Sequence, residues 1–356
     1  MNQPKQRILI YRLGSLGDTI IALPCFNKVK ECFPDADITL LTNRPVLTKA
    51  AAIEAVLGKE YFYDRVIDYP IGTRDLKTLF NLYKEIRALK IDTIINLTAA
   101  RSRKSAIRDA WFFKLAGAKK LIGFPTLHED LHISIDPSTG DYEWEAKRLA
   151  RRLNELGTIS LQNDKYWDLK LTSTEINEAI EALKPIDVST PFLAVSAGTK
   201  VQSKDWEDKN WLGLIAKLKL NLPNWKLIML GTGDESARAE KCIREWGDNA
   251  INLCGKTSPR VSAAVLKQAR IFIGHDSGPM HLAACVGTPC VAIFAARNLP
   301  RQWYPRGEHN KIVYHKTDCA GCGLETCIIE QKKCILSITI DEVEKAIMDT
   351  INNTMN

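Results

Sequence analysis

Strand-like runs alternate with helical patterns along this chain, and that alternation leaves few folds open. The runs are RILIYR, DITLLT and DTIINLT, then FLAVSAG, KLIMLGTG, IFIGHDS and CVAIFAA. With helical stretches between them they make the βαβα pattern of a doubly wound parallel sheet. The pattern occurs twice, over residues 7–135 and again over 192–296. A length of 356 residues suits two domains rather than one core. The expectation is an α/β protein of two Rossmann-like halves facing a cleft. Residues 1–168 form the first half, 169–190 a linker, 191–338 the second half and 339–356 a last helix. In the linker, Thr172 and Glu175 make a capping box for a helix that Pro185 ends. Thr339 and Glu342 make another, and Ile338 can staple onto Val343. Ala346, Ile347 and Ile351 continue an apolar stripe that must pack on something, with the N-terminal half one candidate.

Composition narrows the class. Hydrophobic residues are 45% and charged residues 26%, a soluble globular balance. No apolar run approaches the length of a membrane span. The opening MNQPKQRILIYR has only a strand-sized apolar run, so no signal peptide is expected and the location expected is cytoplasmic. Ten cysteines in a reducing compartment read as free thiols or metal ligands. The net charge of +7 serves solubility, or attracts phosphate-rich partners or an anionic membrane surface.

The first strand runs into LGSLGDTIIALP. Its glycines, Gly14 and Gly17, do not spell the dinucleotide fingerprint, which disfavours a nicotinamide oxidoreductase. They still permit a tight strand-to-helix turn. Asp18 follows in the first turn of the next helix. A carboxylate there caps the helix. At the carboxyl end of a strand it can also serve as a general base.

The stronger signal is IFIGHDSGPMHLAACVGTPCVAIF, residues 271–294. A strand ends at Gly274, and Asp276, Ser277 and Gly278 follow, with Pro279 where a helix begins. The free N–H groups among residues 278–281 offer a ready diphosphate site. His281, one turn in, is a structural histidine or a ligand contact. Lys204 follows the strand FLAVSA and can reach a phosphate. Glu235 or Asp234, after KLIML, can accept from ribose hydroxyls or stabilise a helix start.

Three segments carry a resemblance over nearly the whole chain: SLGDTIIALP, the K-x-W of Lys204 and Trp206, and NLCGKT with HDSGPMHLAACVGTP. Together they are similar to glycosyltransferase family 9, the heptosyltransferases of lipopolysaccharide core assembly. The resemblance implies a GT-B fold, with the acceptor on the N-terminal domain and the nucleotide sugar on the C-terminal one. It implies inverting transfer from ADP-heptose to an anionic, lipid-linked saccharide, with no cofactor required for catalysis. Asp18 would be the base. Lys204, Thr199 and the amides around Ser277 and Gly278 would stabilise the departing ADP. Asp276 and His281 would hold the sugar and its phosphate, and Glu235 would face the nucleoside. Two departures stand out: Glu207 where the family usually has Pro, and FAARN, residues 294–298, where it usually has FGPT. Arg297 thus replaces a small polar residue near the expected donor site.

After DTIINLT comes ARSRKSAIR, with Arg101, Arg103, Lys104 and Arg108. These are solvated, or they bind acceptor carboxylates or phosphates. In EAKRLARRLNELG, Leu149, Leu153 and Leu156 share a face, while Lys147, Arg148, Arg151 and Arg152 lie off it as a solvated or membrane-attracted surface. Cys319, Cys322, Cys327 and Cys334 have the spacing C-x2-C-x4-C-x6-C. Four thiolates suit a structural zinc or iron, the alternative being free thiols, and leave no open position for catalysis. The other six cysteines read as small buried hydrophobes. Peripheral contact with the cytoplasmic face of the inner membrane fits the expected acceptor. The competing readings are another nucleotide sugar or acceptor on the same fold, or a nucleic-acid-binding module with a metal knuckle. The last leaves the Asp18 and HDSGPMH loops unexplained, so no nucleic-acid partner is expected.

Overall fold

Ile8, Leu9 and Ile10 are fully buried, as are Ile94 and Ile95. A strand apolar on both faces belongs in the middle of a parallel sheet with helices on either side. The computed structural model describes residues 5–44, 51–99, 102–124, 133–186 and 189–353. The chain divides into two units, Met1–Lys170 and Leu171–Asn356.

The first unit holds β1 (Arg7–Tyr11), β2 (Asp37–Arg44), β3 (Arg65–Pro70), β4 (Thr93–Asn96) and β5 (Lys120–Ile122), all parallel, in the order β3-β2-β1-β4-β5. In the register Ile8 lies opposite Ile38 on one side and Thr93 on the other. The second unit holds β6 (Phe192–Ser196), β7 (Lys226–Met229), β8 (Ala250–Asn252), β9 (Ile271–His275), β10 (Cys290–Phe294) and β11 (Lys311–Tyr314). Their order is β11-β10-β9-β6-β7-β8, again all parallel. Both are Rossmann-type sheets. In each the winding reverses beside the first strand, between β1 and β4 and between β6 and β9. Ligands bind outside the carboxyl ends of strands at such a switch point.

All seven strands expected from the sequence are present. The four not expected, β3, β5, β8 and β11, are the edges of the two sheets. The Thr172–Glu175 capping box is formed, with Glu175 N–H donating to the Thr172 hydroxyl at 3.2 Å and Thr172 N–H to Glu175 Oε2 at 2.8 Å. The last helix, Ile340–Asn353, starts from the Thr339–Glu342 box. Its stripe Val343, Ile347 and Ile351 belongs to the core of the second unit, together with Ile338, Leu214 and Ile293. These side chains complete the second unit's own core.

Candidate active site

Asp18 is the third residue of the helix Leu16–Ile21, directly after β1. Its Oδ2 accepts from Ser15 N–H at 2.7 Å and from the Ser15 hydroxyl at 2.8 Å. The capping role is therefore real. Its side chain is 27% exposed, and Oδ1 lies 3.9 Å from Arg12 Nη2. Gly14 makes this approach possible. It adopts φ +130, and a Cβ there would stand 2.6 Å from Asp18 Cβ.

Sequence reasoning missed what lies behind Asp18. Arg12 is fully buried and donates to the carbonyls of Leu97 and Asp18. Burial lowers its pKa, and the charges of Asp18 and Glu145 oppose that. Arg148 is also fully buried, in a bidentate pair with Glu145 at 2.7 and 2.6 Å. Arg148 and Arg152 both donate to the Thr98 carbonyl, at 3.2 and 3.1 Å, just past β4. The expectation of a solvated or membrane-attracted face on this segment thus fails for Arg148. Its spacing from Glu145, three residues along the same helix, was the available signal.

In the second unit the site residues gather at the ends of β6, β7 and β9. Asp276 follows β9 and is 5% exposed. Lys204 donates to its Oδ2 at 2.6 Å and to its carbonyl at 2.9 Å, and Asn298 donates to Oδ2 at 2.8 Å. Burial pulls the Asp276 carboxyl upward, but Lys204, with His281 and Asn298, holds it below the usual range. His281 is buried in the first turn of the helix Gly278–Cys285. Ser277 precedes that helix, but its hydroxyl donates to the His275 carbonyl at 3.2 Å rather than capping an amide. The Thr199 hydroxyl closes a local turn, accepting from Val201 N–H at 3.3 Å.

His275 is the residue here that the sequence did not announce. It is fully buried, edge-on to Trp211 with ring centres 5.1 Å apart. Nε2 accepts from Trp206 N–H at 3.1 Å, which leaves Nδ1 to donate to the Gly198 carbonyl at 3.2 Å. Burial pushes its pKa down to about 4, with the Gly198 bond opposing. The ring fastens the loop that carries Thr199 and Lys204 to the end of β9.

Glu235 accepts from Thr232 N–H at 2.8 Å, so it does close a helix start. Burial raises its carboxyl pKa, with the Thr232 amide opposing. Two glycines make room for it. A Cβ on Gly198 would fall 2.0 Å from Glu235 Cδ, and one on Gly231 would fall 2.1 Å from Oε2.

Both departures from the family pattern have structural counterparts. Glu207 sits at φ +72, a conformation closed to proline, and accepts from Lys332 at 2.6 Å. Arg297 donates to the carbonyls of Leu324 and Gly323 at 2.7 and 2.6 Å, while its neighbour Asn298 reaches Asp276.

The four clustered cysteines differ in setting. Cys334 is buried, Cys319 and Cys327 half-buried and Cys322 exposed. Cys319 lies 3.4 Å from the Thr317 hydroxyl, and Cys327 accepts from Lys332 N–H at 3.4 Å. Among the described residues no three His, Cys, Asp or Glu side chains group to hold a metal ion. One thiol faces solvent while another belongs to the core. Of the other six cysteines, five are buried and Cys32 is half-buried. Burial pushes the Cys25 thiol up to about 12 and the Cys242 thiol up to about 11.

Arg101 lies outside the described residues. Arg103, Lys104 and Arg108 are exposed on the helix Arg103–Leu115, and Arg108 pairs with its neighbour Asp109 at 2.7 Å. Among the described residues no helix is long and apolar enough to cross a membrane.

Known proteins share this build. The glycosyl transferase family 9 structure from Veillonella parvula superposes with a TM-score of 0.72 at 18% identity, covering 99% of both chains. E. coli heptosyltransferase WaaC, solved with ADP-2-deoxy-2-fluoro heptose, superposes at 0.63 and 17% identity, over 97% of this chain and 99% of its own. The architecture is therefore GT-B. In sequence, the lipooligosaccharide heptosyltransferase 2 of Campylobacter jejuni is 23% identical over 98% of this chain and 99% of its own. The sequence model of glycosyltransferase family 9 (heptosyltransferase) matches residues 79–333. The chain belongs to that family of glycosyltransferases.

Proposed function

We propose that this enzyme moves a heptose from ADP-heptose to an anionic saccharide acceptor of the lipopolysaccharide-core type, with inversion at the anomeric carbon. The observation that carries the donor reading is the buried Asp276–Lys204 pair beside the amide end of the helix Gly278–Cys285. A cation and free amides together suit a diphosphate. The ADP-sugar analogue in the WaaC structure supports the choice of nucleotide.

In this reading Asp18 takes the proton of the acceptor hydroxyl as that oxygen attacks the anomeric carbon. The bond from that carbon to the diphosphate oxygen breaks, and its electron pair leaves with ADP. Lys204 and the amides around Ser277 and Gly278 stabilise the charge on ADP, with Thr199 adding a hydroxyl. That electrostatic set lets transfer proceed without a metal, so chelation leaves the rate unchanged. Asp276, held as a carboxylate, accepts from sugar hydroxyls, with His281 at the adjoining phosphate. Glu235 faces the ribose. Arg103 and Lys104 attract the acceptor's anionic groups, and transfer takes place at the cytoplasmic face of the inner membrane.

Calorimetric titration with ADP, UDP, GDP and CMP tests the donor. Preference for ADP, lost in Asp276→Asn, supports the reading; preference for another nucleotide moves the donor; no binding refutes it. Asp18→Asn keeps an acceptor atom for the Ser15 cap while removing the base. Transfer falls by roughly a hundredfold or more, with ADP affinity unchanged. Equal loss of both would mean that Asp18 acts on the fold and not on the proton.

A further inference from the structure

The helix Arg103–Leu115 turns Ala106 and Phe113 inward, and Phe113 belongs to the apolar cluster of the first sheet. Its other face is open. Ile107, Trp111 and Leu115 are 45%, 65% and 64% exposed. Spaced four residues apart, they form one stripe. Arg103, Lys104, Arg108 and Lys114 are exposed around them. Asp109 is the helix's single acid, and its side chain is 12% exposed and paired with Arg108. The neighbouring helix, Leu76–Leu89, leaves Leu76 and Phe80 exposed too, with the Lys84 ammonium 4.5 Å from the Phe80 ring centre. Its Arg87 donates to the Leu115 carbonyl at 3.3 Å.

We propose that this face, with Trp111 at its middle, docks on a bilayer surface containing anionic lipid. The stripe enters the boundary between headgroups and acyl chains, the indole sits at the interface, and the flanking cations meet lipid phosphates. Charge selects this occupant over the others. A second copy of the chain would set one basic face against another, which repels. A nucleic acid would engage the cations and stack on Trp111, but it would leave the aliphatic Ile107 and Leu115 in water, whereas a bilayer boundary covers all three. The face is on a different helix of the first unit from Lys147, Arg148, Arg151 and Arg152, for which membrane attraction was first considered and of which Arg148 is buried. The inference rests on the membrane location given in the proposed function and assigns the surface that meets it; because vesicle binding needs neither donor nor acceptor, its failure is distinguishable from failure of the transfer reaction.

The experiment is vesicle co-sedimentation of the full chain. One set of vesicles holds about three parts phosphatidylethanolamine to one part phosphatidylglycerol, the other phosphatidylcholine alone. The protein binds the anionic vesicles, binds the neutral ones weakly, and is released as salt screens the surface charge. Trp111→Ser with Leu115→Ser weakens binding roughly tenfold or more. Both positions are exposed, so the thermal transition of this variant stays where it was. Equal binding by variant and wild type, no binding to anionic vesicles, or no preference for them overturns the proposal. So does a lipid-free wild type that sediments as an oligomer which the variant dissolves, because the stripe would then join two copies.

Discussion

Both ring nitrogens of His275 are committed to backbone groups of one loop, and that has a pH signature. Its pKa lies near 4, against 6.5 in an unfolded chain, so the unfolded state binds more protons between those values. The stability it contributes is complete above pH 6.5 and is lost as the pH falls toward about 4. His275→Phe preserves ring packing but leaves Gly198 C=O and Trp206 N–H unpaired, costing about 2–4 kcal/mol at neutral pH. Urea unfolding of both proteins across this range checks it: the gap narrows toward acid, and a constant gap would rule the ring's titration out. A second residue-level test separates site from fold. Gly198→Ala displaces the flexible end of Glu235, so stability changes little while ADP affinity falls roughly tenfold; unchanged affinity by calorimetry would remove Glu235 from the nucleoside. Asp18 and Asp276 were legible because their signals are local: a glycine turn, a strand end, a helix start. Arg12, Arg148 and His275 were not, because what buries them arrives from elsewhere in the chain. No window around Arg148 shows that the Thr98 carbonyl, fifty residues earlier, will accept its hydrogen bond.

Among elements, legibility followed position in the sheet. The interior strands are apolar runs, since helices cover both their faces. The edge strand β3 reads RVIDYP, with only Ile67 buried, and it ends in a proline, which an edge tolerates. The strands β5 and β8 are three residues each and β11 is half-exposed, so none carries a continuous apolar signal. The last helix was legible from its capping box and stripe, but its partner was not, because a stripe does not name the surface it meets. Ile347, fully buried there, gives the test. Ile347→Ala costs about 2–5 kcal/mol and Ile347→Val about 1 kcal/mol in chemical denaturation. A loss well under 1 kcal/mol for the alanine would show that the helix is not packed on this core.

At the scale of the molecule, the sequence placed a boundary within residues 169–190, and the division falls at Lys170 and Leu171. The second unit has its own six-stranded sheet and its own core, closed by its own last helix. Leu171–Asn356 expressed alone therefore unfolds in one cooperative step and still binds ADP. A chain that is molten in circular dichroism and calorimetry would show that its core depends on the first unit.

Within the segment that carries the clustered cysteines, the stretch from Gly323 to Cys327 is tied to the Lys204 loop and to Arg297 through its main chain, while further on the Lys332 side chain adds bonds to Asp205 and Glu207. The carbonyl of Glu325 receives Ser203 N–H, that of Leu324 receives the Ser203 hydroxyl and Arg297, that of Gly323 receives Arg297, and the amide of Cys327 reaches Gln202. Any amino acid supplies those atoms. Two positions are exceptions: Gly321 and Gly323 both have positive φ, and a Cβ on Gly321 would press on Leu299. Over many generations, then, the letters between these glycines and Cys327 are free to drift while the loop they brace is left undisturbed. Relatives could diverge here in sequence and still inherit the same scaffold around the lysine.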